Sequence, residues 1–180
     1  MGRTIDARVS RFGGYLEDFE EDDVFLHWPG KTITEAEAHQ FCLLTLAASP
    51  LHLDAHYAVS EMEYGQNIVI GSYIYSLLLG MSVSDISGKA IANLGAERLR
   101  HLAPVFHGDT LYAETKVVSV RRSRSRATQG ILTVDTIGKN QHGKVVCTFR
   151  RSVLLPRRSE AMAEDSPTGT AGIRKGKDTA

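Results

Sequence analysis

The segment Ser49–Ala58, SPLHLDAHYA, places His52, Asp54 and His56 directly after Pro50. An imidazole titrates near neutrality and is the commonest side-chain general base. Proline disfavours helical geometry in the residue before it, so Ser49 and Pro50 form a bend that presents Leu51 and His52 in a fixed direction. Read alone, His52 is equally a hydrogen-bonded structural or surface residue. A metal reading of His52, Asp54 and His56 fails because positions i and i+2 do not share a helix face. No further Cys or His falls at metal-site spacing, so no metal is expected. A second cluster, Arg121, Arg122, Arg124 and Arg126, reads as a solvated basic loop whose forked guanidinium groups would also suit phosphates. A nucleophile elbow, a phosphate-binding loop and a dinucleotide glycine fingerprint are all missing.

These residues need elements to carry them. Thr34 with Glu37, or Thr32 with Glu35, signals a capping box, and Ala38, Phe41, Cys42, Thr45 and Leu46 follow at helical spacing. That helix is expected to stop at Ser49 and Pro50. The stretch after Leu51 reads as a short surface helix ending at Gly65. Ile68 to Val83 is an apolar stretch interrupted by Gly71, Ser72, Ser76 and Gly80; it is too short to cross a bilayer and reads as a core helix buried on nearly all sides. After Gly88 the pattern turns to period two, and Leu111–Val120, Ile131–Lys139 and Lys144–Leu155 read as strands, the last two joined by NQHG with Gly143 free to take a positive φ. An antiparallel sheet wrapped about one central buried helix is an α+β architecture.

Composition sets the outer limits. The 180 residues carry 21 basic and 21 acidic side chains, so no monopole draws the molecule to nucleic acid or to a membrane surface. The length suits one domain, assigned to 14–156, followed by a polar tail over 157–180 too poor in apolar side chains to order itself. Met1–Phe12 lacks the apolar core of a secretory leader. Cys42 and Cys147 read as buried thiols in a reducing, cytoplasmic compartment.

Several blocks in order, GYLEDF from Gly14, SPLHLD from Ser49, YGQNIVIG from Tyr64 and PVFHGDTL from Pro104, resemble the MaoC-like dehydratases, the hot-dog-fold family that includes the R-specific enoyl-CoA hydratases. Within it, PLHLDAHYA, SVSDISG, ANLG and PVFHGDTL look like itaconyl-CoA and mesaconyl-CoA hydratase-like members. The resemblance implies a single hot-dog domain, a homodimer or a multiple of one, an acyl-CoA substrate and no metal or redox cofactor. It also implies that His52 is the proton-transfer residue and that Gly71, with Ser72, is a helix-start oxyanion donor for the thioester. Ser49 stands where the family motif has Asn and is assigned to the substrate with them, while Arg124 and Arg126 are expected to grip the phosphates of coenzyme A.

One departure bears on the chemistry. The family's catalytic Asp lies five residues before the His, and here that position is Ala47. Either Asp54 or a second carboxylate on the substrate would then supply the missing function. The resemblance therefore predicts a hydratase of 2-enoyl-CoA thioesters, with dicarboxylic acyl groups preferred. A non-catalytic acyl-CoA-binding protein and a thioesterase on the same fold are the alternatives.

Overall fold

The computed structural model describes residues 2–6 and 12–158. Its strands are β1 (Thr4–Asp6), β2 (Val24–Leu26), β3 (Lys31–Thr32), β4 (Ala92–His101), β5 (Thr110–Arg122), β6 (Gln129–Lys139) and β7 (Val145–Pro156). Its α-helices are α1 (Glu35–Leu44), α2 (Pro50–Leu53), α3 (Ala55–Glu61) and α4 (Gly71–Met81), and α4 runs into a π-helical turn at Val83–Ser87. All seven strands form one sheet in the order β1-β2-β5-β6-β7-β4, with β3 beside β5. The long strands are antiparallel, and β1 pairs in parallel with β2.

Alternation builds the core. Leu111, Ala113, Thr115 and Val117 of β5, Leu132, Val134, Thr136 and Gly138 of β6, and Cys147, Phe149, Arg151, Val153 and Leu155 of β7 all turn inward and are buried. Ile74 and Leu78 of α4 lie against this face. The helix comes so near that a Cβ on Gly138 would stand 2.3 Å from a Leu78 methyl, so only glycine fits there. Tyr75 adds an edge-to-face contact with Phe149, centroids 4.9 Å apart.

The α+β architecture read from the sequence is the one observed, with three differences of detail. The core helix is not buried on nearly all sides in the single chain: only Ile74 and Leu78 are fully covered, while Ser72, Ser76 and Gly80, four apart, face outward. Apolar count alone does not say which side has a neighbour, and one sheet covers one side. Next, α1 stops at Leu44, short of Ser49, because Leu46 adopts φ 58° and the Ala47 N–H folds back onto the Cys42 carbonyl. Finally, β4 was not legible as a strand. Each of its residues is exposed and two register shifts interrupt its pairing with β7, so no alternation marks it.

Chain order extends slightly past the expected domain limits. Strand β1 precedes Gly14, and Arg157 and Arg158 are tied to Glu17 and Asp18. The remainder of the expected tail, from residue 159, lies outside the described residues. Cys42 and Cys147 are both buried, unpaired thiols, and burial pushes Cys147 up to about 11.

Candidate active site

The bend at Ser49 and Pro50 does what its sequence suggests. Pro50 starts α2, and His52 sits on this single helical turn. The His52 Nδ1–H donates to the Ile68 carbonyl at 2.8 Å. A carbonyl can only accept, so Nδ1 holds the proton and Nε2 keeps its lone pair for a reacting group. Asn67, buried, anchors the same turn: its side-chain amide reaches the carbonyls of Pro50, Leu51 and Asp54 at 2.9–3.2 Å. Sequence reasoning passed over Asn67 because an Asn after a turn is ordinary.

Opposite His52 is the start of α4. Ile68 bridges to Phe106, and the Val69 N–H binds the Val105 carbonyl, which delays the helix until Gly71. No side chain caps this end. Its first N–H groups therefore carry unpaired partial positive charge. A Cβ on Gly71 would stand 2.7 Å from Nε2 of His101, so the absent side chain is what lets that imidazole lie against the helix start.

His52, Tyr64, Gly71, Ile74 and His101, with the strip Leu102–Val105, enclose a cleft of about 430 Å³. Its lining is mainly apolar, with two imidazoles, the Tyr64 phenol and one open helix terminus among its polar groups. His101 was also missed in sequence: it lies at the end of a strand with no alternation, 49 positions from His52.

The other expected site residues are placed as follows. Ser49 is exposed and makes no cap hydrogen bond, and Ser72 is exposed on the outer side of α4. Neither lines the cleft. Asp54 accepts the Tyr57 N–H at 2.9 Å as the N-cap of α3, which commits its carboxylate to the fold. Ala47 offers only a methyl group. Arg124 and Arg126 do occupy the β5–β6 hairpin, beyond Arg122. At about 3.3 Å per residue, β5 carries that loop roughly 35–40 Å from its start at Thr110, the end nearer the cleft. In one chain the structure does not bring them to His52. Arg98 and Arg100 of β4 line a separate groove with Asp135, Ile137, Thr148 and Arg150, residues that alternate to the sheet face turned away from α4, so they do not join the cleft either.

The expected family is borne out by comparison. The sequence profile named mesaconyl-CoA hydratase matches residues 4–179. The chain belongs to the mesaconyl-CoA hydratase family. Mesaconyl-CoA hydratase of Haloarcula marismortui is 29% identical over 174 residues, covering 93% of this chain and 48% of that protein. The chain thus spans about half the length of the curated relatives it matches best in extent. Among solved structures, a MaoC-like dehydratase from Rhodospirillum rubrum has a TM-score of 0.72 at 28% identity, covering 82% of this chain and 99% of that one. A Mycobacterium tuberculosis protein described as a double hot-dog fold has a TM-score of 0.63 at 26% identity, covering 92% of this chain and 48% of that one. The fold of this mesaconyl-CoA hydratase family member is accordingly a single hot dog.

Proposed function

We propose that the cleft hydrates, and in reverse dehydrates, a 2-enoyl-CoA thioester bearing a second carboxylate, mesaconyl-CoA being the type. The observation that carries this reading is the pairing of a His52 imidazole, held by Ile68 with Nε2 free, with the uncapped start of α4 across one apolar cleft. The thioester oxygen accepts from the Gly71 end of the helix, where backbone dipoles stabilise negative charge as it develops. Nε2 of His52 takes a proton from water, the water oxygen bonds to C3, and the double-bond electron pair moves onto the thioester as an enolate. The enolate collapses by taking the same proton back from His52 onto C2. One imidazole serves both steps, and the enzyme gains and loses no proton.

This shuttle answers the methyl group at Ala47. The second carboxylate pairs with His101, which adds a charge-assisted hydrogen bond worth roughly 1.5–3 kcal/mol. The phosphates of coenzyme A reach Arg124 and Arg126 only from another copy of the chain. That copy is supplied by a homodimer built on β4, whose outer edge has no strand partner among the described residues and whose surroundings expose Ile91, Leu94, Leu99 and Leu102. Two buried, unpaired thiols support a reducing, cytoplasmic location for the site. No helix among the described residues is long and apolar enough to cross a membrane.

The deciding assay offers mesaconyl-CoA and crotonyl-CoA, and follows loss of the conjugated thioester together with free thiol. Hydration of mesaconyl-CoA is expected, with crotonyl-CoA slower by about 10–100-fold, the kinetic equivalent of the His101 contact. Equal rates would remove the carboxylate from the proposal. Release of thiol would make the protein a thioesterase, and saturable binding without turnover would make it an acyl-CoA-binding protein.

A further inference from the structure

Away from the cleft, the fold gathers three ligating side chains that no linear spacing announces. Glu35 is the first residue of α1, and His39 lies one turn later on the same face, its Nε2 3.9 Å from a Glu35 carboxylate oxygen. His107, 68 positions further along the chain, stands in the turn between β4 and β5. Its ring meets that of His39 edge to face, centroids 5.5 Å apart and planes at 79°. One ligand atom from each of Glu35, His39 and His107 falls within 4.8 Å of the other two.

A further observation points to a ligand. Nε2 of His39 and Nε2 of His107 are both shielded from solvent, and neither has a hydrogen-bond partner among the described residues. Leaving two imidazole nitrogens buried, convergent and unpaired is unfavourable unless something binds between them.

The frame around the three is already closed. The Gly108 N–H binds the Ile33 carbonyl at 2.8 Å and the Ile33 N–H binds the Asp109 carbonyl at 2.9 Å, which joins the turn to the segment that leads into α1. Asp109 accepts the Phe106 N–H, and Glu37 accepts from Thr34 and Lys31 at the helix start. A four-coordinate zinc with bonds of about 2.0–2.1 Å holds its ligand atoms roughly 3.3 Å apart, so rotations of the Glu35 and His39 side chains complete the set.

We propose that Glu35, His39 and His107 form a binding site for a divalent transition-metal ion of the zinc class, completed by water. Two imidazoles and a carboxylate suit zinc and its neighbours, and give magnesium or calcium too few oxygens. Glu35, exposed, forms the mouth through which the ion enters. The ion ties the start of α1 to the turn that follows Val105, a wall residue of the cleft. None of the three ligands lines the cleft, so the ion fastens the wall and takes no part in the hydration steps.

The test titrates Zn²⁺ into the full chain after chelation and dialysis, by calorimetry near neutral pH, with circular dichroism as a check on folding. One ion per chain is expected, at micromolar or tighter affinity, together with a higher thermal midpoint. His39→Ala on the exposed helix should abolish stoichiometric binding, as should His107→Ala, and Glu35→Gln should weaken it about tenfold. Co²⁺ in place of Zn²⁺ should give the visible spectrum of a four-coordinate site. His52→Ala should bind Zn²⁺ as the parent does, which separates this site from the hydratase reading. If folded His39→Ala and Glu35→Gln both bind as the parent does, or if stoichiometry falls well below one, the proposal is overturned whatever the activity assay shows.

Discussion

His27 and His52 are both held through Nδ1, yet they differ in what is left over. His27 is buried. Its Nδ1 meets Asp85 Oδ2 at 2.6 Å and its Nε2 meets Thr115 Oγ1 at 2.7 Å, which continues to Thr136 Oγ1 at 2.9 Å. Both ring nitrogens are used. His52 spends one nitrogen on a backbone carbonyl and turns the other edge of its ring to the cleft. A histidine with both edges satisfied is a structural part, whatever its neighbours, and one held by a single edge is equipped for proton transfer. The His27–Asp85 pair shows how far a dyad can resemble catalytic machinery and still have no access to a reacting molecule.

The region around His27 is closed to solvent, although Asp85 Oδ1 and Arg151 Nε have no hydrogen-bond partner among the described residues. The π-helical turn that carries Asp85 also points Ile86 into the core. Arg151, fully buried, gives hydrogen bonds to Ser82 and Ser87 at 2.7 and 3.2 Å, and has no carboxylate partner among the described residues. Burial lowers it to about 10. The hydrogen bonds at this end run between buried groups, while those at the cleft end hold His52 from behind and leave it open in front.

The sharpest way to break this contrast is to exchange the two histidines' roles in one experiment. His52→Gln should reduce turnover by about 10²–10⁴, the worth of a positioned acid/base group, with stability within about 0.5 kcal/mol of the parent. His27→Leu strands Asp85 in the core and should cost about 3 kcal/mol or more. For a domain of this size that lowers the melting temperature by roughly 6–12 °C. Turnover per folded molecule should persist in His27→Leu well below its transition. If the melting temperature falls as far in His52→Gln as in His27→Leu, the distinction between the two histidines fails.

Asn67 probes how the open histidine is held. Removing its amide in Asn67→Ala leaves the carbonyls of Pro50, Leu51 and Asp54 without that donor, a loss of about 1–3 kcal/mol. Because Asn67 touches the bend and not the cleft, turnover should fall along with stability, while His27→Leu lowers stability alone. The pairing of both measurements sharpens the comparison, and an Asn67→Ala protein with parental turnover would detach the bend from the chemistry.

What the sequence disclosed follows from how local each feature is. The capping box Thr34–Glu37, the bend at Pro50, the three long strands and the turn at Gly143 are each determined within a few residues, and each is observed. His52 and Gly71 stood out through the family resemblance and not through their local spacing alone, and the fold brings both to one cleft. His101, Asn67 and the Glu35–His39–His107 cluster each depend on a partner at least 13 positions away. No period or spacing encodes them, and β4 gave no alternation to suggest where His101 would lie. The open side of α4 escaped for the complementary reason: apolar content reports that a side chain wants cover, and only the sheet shows which side has it.

The smallest effect concerns what fixes the cleft end from outside. The Lys31 ammonium, with Thr34, holds the Glu37 carboxyl down at about 2, against its ordinary 4.5. A carboxyl lowered in the folded state stabilises above its unfolded pKa, and that contribution disappears as pH falls from about 4.5 toward 2. Both partners are exposed, so the effect is modest and screened by salt. Glu37→Gln should therefore melt slightly below the parent at neutral pH, and the gap should close by about pH 2 as the parent loses the same interaction. A gap that stays constant across that range would mean that Glu37 acts through packing and not charge. It would leave the start of α1, which carries Glu35 and His39, held as independently of solvent as the His27 end.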